Sequence, residues 1–87
     1  MYVEIYTKNN CVYCLKTKSL LHSMKIDYIE NKLDVDFTSE MLKEKYPAAL
    51  TYPVIVIDNF FIGGYNELNI LLEEQSQDNR KLLNEGK

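Results

Sequence analysis

Two thiols, Cys11 and Cys14, stand three positions apart in the segment NNCVYCLK, and they are the only cysteines of the 87-residue chain. Thiols at that spacing support three chemistries: reversible disulfide exchange, half of a metal site, or a structural bridge. A bridge across so short a loop would constrain little of the unfolded chain. A closed zinc site wants four ligands, usually supplied as two pairs. Beyond its cysteines the chain offers one histidine, His22, eight residues past Cys14 and off its helical stripe. Thiolates and imidazole therefore cannot complete a site within one chain, and His22 reads as an ordinary helix residue. Exchange chemistry needs an exposed thiolate to attack and a shielded partner to resolve the mixed disulfide. Cys11 falls where a polar loop enters a helix, so free N–H groups and the positive end of the helix dipole face its sulfur. The thiolate is favoured there. Cys14, one turn later, joins a stripe with Thr17, Leu21 and Met24 and is expected to be more buried and less ionised.

The elements that must hold this pair follow from periodicity. Tyr2 to Tyr6 alternates as a strand, with Val3 and Ile5 on one face and Tyr2, Glu4 and Tyr6 on the other. A helix starts near Cys11, and Ile26 to Glu30 alternates again as a second strand. Thr38 or Ser39 can cap a short helix that Pro47 stops after Tyr46. Val54 to Ile57 is a run of four β-branched residues, the composition of a strand covered on both faces. Asp58-Asn59 is a turn pair, Phe60 to Ile62 returns antiparallel, and Gly63-Gly64 breaks into a last helix carrying Leu68, Leu71 and Leu72. Strand–helix–strand order implies parallel neighbours with right-handed crossovers, and the hairpin adds an antiparallel strand. The expected architecture is α/β, a small mixed four-stranded sheet (β-α-β-α-β-β-α) flanked by helices.

Bulk properties narrow the partners. The length suits a single domain, 1–87, in which residues 75–87 form a C-terminal extension or the end of the last helix, with Leu82-Leu83 as the part that would pack back. A net charge of −3 argues against nucleic acid and anionic membranes as partners. No apolar run approaches the length that spans a bilayer, and MYVEIYTKNN shows no basic-then-apolar leader pattern. The cytoplasm, where thiols are kept reduced, is the expected location.

A second motif joins the first. Tyr52-Pro53 immediately precedes the buried strand, a place where proline is tolerated and where a cis bond reflects a constraint. CVYC after the first strand, TYP before the buried strand and IGGYNEL opening the last helix together resemble the glutaredoxins, over roughly Tyr2 to Glu74. A Cys-x-x-Cys at a strand–helix junction already reads as a thioredoxin-like redox motif. Thioredoxin proper is less similar, because its Trp-Cys-Gly-Pro-Cys signature is missing and the chain has no tryptophan.

The resemblance implies a thioredoxin-like fold and a glutathione-dependent thiol–disulfide oxidoreductase, with Cys11 as nucleophile and Cys14 as resolving thiol. It implies a glutathione site. Lys8 would lie near the sulfur and the glycine carboxylate, with Tyr13 beside the thiol. Tyr52 would offer its backbone N–H and C=O to the cysteinyl part, Pro53 being the cis proline. Gly64, Tyr65 and Asn66 would surround the γ-glutamyl carboxylate at a helix start whose N–H groups are free. Disulfide-bearing proteins, ribonucleotide reductase among them, would be partners of a monomer. Three departures stand out. Val12 replaces the proline of CPYC, Asn66 stands where aspartate is frequent, and Ala49 stands where a basic or amide side chain is frequent, so the glycine carboxylate would lean on an α-helical lysine such as Lys45. Two alternatives accompany this reading. One is a [2Fe–2S] carrier, a dimer in which Cys11 of each subunit and two glutathiones hold the cluster. The other is a thioredoxin-like electron donor.

Overall fold

The computed structural model describes residues 1–74, and Leu82-Leu83 and the rest of 75–87 lie outside the described residues. The elements are β1 (Val3–Thr7), α1 (Val12–Ser23), β2 (Tyr28–Lys32), α2 (Ser39–Lys45), β3 (Val54–Ile57) and β4 (Phe60–Gly63). A last helix, α3, starts at residue 65 and continues to 74. The sheet order is β2-β1-β3-β4. β1 runs parallel to β2 (Val3 opposite Tyr28) and antiparallel to β3 (Ile5 opposite Ile55), and β4 pairs antiparallel with β3. This is the thioredoxin-like α/β arrangement expected from the sequence, with the mixed sheet flanked by three helices.

The run VIVI explains why the sheet is covered on both sides. Ile55 and Ile57 join Val3, Ile5, Leu21, Leu68 and Leu72 in one core. Val54 and Val56 join Tyr6, Phe37, Leu42 and Ala49 in the other. Alternate side chains of one strand thus supply both layers, α1 and α3 closing the first and α2 the second. Each fully buried aliphatic side chain of this kind contributes roughly 1.5–3 kcal/mol.

Several boundaries differ from the sequence expectation: β1 spans Val3–Thr7 rather than Tyr2 to Tyr6, and β2 ends at Lys32 rather than Glu30. Helix α1 ends at Ser23, so Met24 is its 40% exposed C-cap rather than part of the buried stripe of Cys14, Thr17 and Leu21. The chain turns there through Lys25 at φ 58°, with Lys25 N–H donating to the His22 carbonyl and Ile26 N–H to that of Leu21. That pair of bonds is a Schellman stop, and Ile26 packs against the core cluster that contains Leu21. Ile26 is therefore spent on ending the helix, and β2 begins two residues later than its alternation suggested. Gly63 also belongs to β4, which the sequence pattern ended at Ile62. The Asp58-Asn59 hairpin is as expected: both residues have positive φ, 51° and 69°, the signature of a type I′ turn.

Candidate active site

β1 delivers the chain to the site and α1 carries it away. Asn10, at φ 55°, turns the loop so that Cys11 enters the helix as its N-cap, in extended conformation at φ −121° and ψ 104°. Asparagine tolerates the left-handed region better than most residues, which suits it to this corner. The Cys11 Sγ accepts a hydrogen bond from the Cys14 backbone N–H at 3.1 Å, the place a serine or aspartate oxygen usually takes. No acidic residue stands in the first turn to oppose negative charge on that sulfur. Cys11 is half-buried, whereas Cys14 is only 2% exposed, beneath the first turn with Thr17 and Leu21. The two are joined as a disulfide, with Cα atoms 5.2 Å apart.

The Tyr52-Pro53 bond is cis, and Pro53 is buried at the start of β3. Opposite it, Gly64 lies so close that a Cβ there would sit 3.4 Å from the Pro53 carbonyl oxygen. Gly63, at φ 133°, is in a conformation side chains rarely adopt, and a Cβ would meet the Glu67 side chain at 2.7 Å. Gly63 is thus required by its backbone conformation, whereas a Cβ at Gly64 would make only ordinary van der Waals contact with the proline. Tyr13 and Tyr65 bring α1 and α3 together, with ring centroids 5.6 Å apart, and Lys16 Nζ stands 5.0 Å from the Tyr13 ring centre. A depression of about 310 Å³ here is lined by Tyr13, Thr51, Pro53, Gly64, Tyr65, Asn66 and Glu67. Lys8 Nζ lies 5.7 Å from the Tyr52 ring centre. Burial, and after it the Asp34 carboxylate, pushes the Tyr52 phenol above its ordinary value.

Of the residues singled out by sequence, Tyr13, Pro53, Gly64, Tyr65 and Asn66 meet in this one depression. Lys8, Cys11 and Cys14 line a second one, on the β2 side of the disulfide. Two expectations, on the Gly64 N–H and on Lys45, need correction. The Gly64 N–H is not free: Glu67 Oε1 accepts it at 2.7 Å, the side chain three residues on reaching back to the helix start. Ala49 is 6% exposed, packs in the second core and also lines the cleft that holds Lys43, Thr51 and Tyr52. Lys45 lies over Tyr46 and lines a separate hollow with Glu4, Tyr6 and Asp36, while Lys43 is the α2 lysine that shares a cleft with Thr51 and Tyr52.

Two features escaped the sequence reading. Glu67 is signalled by Gly-x-x-Glu at a helix start, a capping pattern. The other is a polar cluster beside Cys14: Thr7 Oγ1 donates to Glu30 Oε2 at 2.8 Å, and Lys18 Nζ donates to the same oxygen at 3.1 Å. Burial alone would raise the Glu30 carboxyl, but the Thr7 hydroxyl and the Lys18 ammonium outweigh it and hold the group below its ordinary value. Thr7, Lys18 and Glu30 sit on three different elements, and no local pattern links them.

The glutaredoxin family profile matches residues 3–62. The chain is 37% identical over 80 residues to glutaredoxin 1 of Rickettsia bellii, covering 87% of this chain and 82% of that protein. Against glutaredoxin 3 of Escherichia coli K12 it is 38% identical over 69 residues, covering 79% and 83%. The solution structure of a dithiolic glutaredoxin from Trypanosoma brucei brucei superposes with a TM-score of 0.71 at 32% identity, over 88% of this chain and 82% of that one. Reduced Escherichia coli glutaredoxin gives a TM-score of 0.74 at 25% identity, over 88% and 99%. A paired Cys-x-x-Cys at a helix entrance, a cis proline ahead of the buried strand and this breadth of likeness agree, and the chain belongs to the glutaredoxin family of thiol–disulfide oxidoreductases.

Proposed function

We propose that the protein is a glutathione-dependent oxidoreductase that reduces glutathione mixed disulfides and protein disulfides. The observation that carries this reading is the depression where Tyr13 of α1, two residues after Cys11, meets Thr51, Pro53 and the start of α3. Its volume is at the lower end of the roughly 300–1,000 Å³ that small-ligand sites occupy. In this reading the cysteinyl part of glutathione lies along Tyr52, and its γ-glutamyl end reaches Gly64, Tyr65 and Asn66. Glu67, beside them, supplies the carboxylate that Asn66 lacks as partner for the γ-glutamyl ammonium. Lys8 and Lys43 flank the opposite end, where the glycine carboxylate would lie.

The chemistry then proceeds by two exchanges. Reduced Cys11, a thiolate at the helix entrance, attacks the glutathione sulfur of R–S–S–G. The Cys11–glutathione disulfide forms, and R–S⁻ leaves and takes up a proton. A second glutathione thiolate attacks the bound glutathione sulfur, releasing G–S–S–G and restoring Cys11. With a protein disulfide, Cys14 loses its proton and attacks Cys11 Sγ. The substrate leaves as a dithiol, and the pair closes to the Cys11–Cys14 disulfide seen here. Two glutathiones return it to the dithiol.

The [2Fe–2S] reading draws its ligands from Cys11 of two copies and from glutathione. Among the described residues of one copy no group of three or more His, Cys, Asp and Glu stands together to hold a metal. The test of the main reading is a Cys14→Ser protein treated with glutathione disulfide. One glutathione adduct on Cys11 is expected, with amide shifts at Tyr13, Tyr52, Gly64 and Tyr65. An adduct that leaves those amides unmoved contradicts the proposed groove.

A further inference from the structure

We infer that the depression on the β2 side of the disulfide docks an acidic segment flanking the cysteine of a protein substrate, an inference that rests on the oxidoreductase reading above. This hollow of about 310 Å³ shares no lining residue with the Tyr13–Gly64 groove, yet it is lined by both Cys11 and Cys14. Sheet order separates the two. β3 and α3 flank the groove, whereas β2, the edge strand, forms the wall of the hollow.

Charge selects the occupant. Lys8, Lys18 and Lys32 line the hollow, and Glu30 is its single carboxylate. Glu30 is already engaged by Lys18 and the Thr7 hydroxyl. Asp34 and Asp36 belong to the adjoining loop but do not line the hollow, and Asp36 is turned back to accept the Lys32 backbone N–H at 2.8 Å. A chain of net charge −3 thus presents a local excess of cations beside its reactive sulfurs. Leu15 and Val35, 62% and 78% exposed, border the same hollow. A glutamate or aspartate next to an apolar residue, one or two positions from the substrate cysteine, would meet the lysines and this apolar rim together. Such complementary charges raise encounter rate and select partners more than they deepen affinity.

Once the segment is seated, electron transfer follows the dithiol route. Cys11 thiolate bonds to one substrate sulfur and releases the other. Cys14, giving up its proton, then attacks Cys11 Sγ, and the first substrate sulfur departs as a thiolate that takes up a proton. The substrate gains two electrons and the Cys11–Cys14 pair loses them.

The experiment compares two synthetic peptides, each with one internal disulfide, identical except that glutamates flanking the cysteine in one are glutamines in the other. The reduced protein should favour the acidic peptide in kcat/KM, and salt near 1 M, where the screening length is about 3 Å, should erase the preference. Lys32→Gln should lower the preference about threefold, in the range of single exposed charge pairs. Lys32→Arg should restore it, and reduction of a glutathione mixed disulfide with a small neutral thiol should stay unchanged. Equal rates for both peptides with wild-type protein overturn the inference while leaving the glutathione reading in place. So does an altered dependence on glutathione concentration in Lys32→Gln with the peptide preference intact, because the hollow then holds a second glutathione. Failure to reduce the peptides and the glutathione mixed disulfide alike overturns the oxidoreductase reading and this inference with it.

Discussion

Cys11 and Cys14 differ in what surrounds them, and the roles proposed for them rest on that difference. The Cys11 sulfur caps a helix and is half-buried, whereas Cys14 is closed in beneath the first turn. Cys11→Ser is therefore expected to abolish all disulfide exchange. Cys14→Ser should keep turnover of glutathione mixed disulfides and lose most of it on protein disulfides, read by following both substrates with each variant. An active Cys11→Ser protein would reverse the assignment. Glu30 supplies a second residue-scale prediction. Its carboxyl is held below the ordinary value in the fold, so its contribution to stability is present above its unfolded value, about 4.3. That contribution is lost as pH falls through the folded value. Thr7→Val removes one of the two bonds to Glu30 Oε2. It should cost roughly 1 kcal/mol or less near neutral pH, since the pair is partly exposed. The difference from wild type in urea unfolding should shrink below about pH 4 as the carboxylate protonates. A difference that is constant with pH would mean that the hydroxyl acts by packing rather than through the charge.

At the scale of elements, α1 is bounded by two unusual choices, a cysteine as N-cap and a lysine where glycine is usual at the C-terminus. Lys25 is exposed and sits at φ 58°. A side chain in that region costs about 1–2 kcal/mol, part of which glycine returns through its greater freedom when unfolded. Lys25→Gly is thus expected to stabilise the protein by about 0.5–1 kcal/mol, seen as a raised urea midpoint with unchanged slope. This stop also shows where the sequence was legible and where it was not. Thr38 as the α2 cap, the Asp58-Asn59 turn and the four buried residues of β3 are local statements, each decided within a few residues. Ile26 fits two patterns, because an apolar residue that follows a helix stop and the first residue of an alternating strand look alike. Met24 was misplaced for the same reason, since an apolar residue at the right helical angle still escapes burial when the helix stops before it.

The whole molecule is a sheet with a core on each face and a redox pair at the end of β1, where α1 begins. Among the described residues no helix is long and apolar enough to cross a membrane. The cysteine pair, the cis proline and the Gly-Gly entry to α3 were legible because each is written in consecutive residues. The Lys8–Lys18–Lys32 hollow was not, because a loop, a helix and an edge strand create it only when folded together. The bond from Gly64 N–H to Glu67 is local, written as Gly-x-x-Glu at a helix start, but it depends on the rotamer of one exposed side chain. The central claim is that glutathione, and not a thioredoxin-type reductase, supplies electrons to the Cys11–Cys14 disulfide. The direct measurement offers the oxidised protein two reducing systems in parallel, NADPH with glutathione and glutathione reductase, and NADPH with thioredoxin reductase. NADPH consumption with the first and none above background with the second is the predicted result. Reduction by thioredoxin reductase alone, with glutathione inert, would contradict the account.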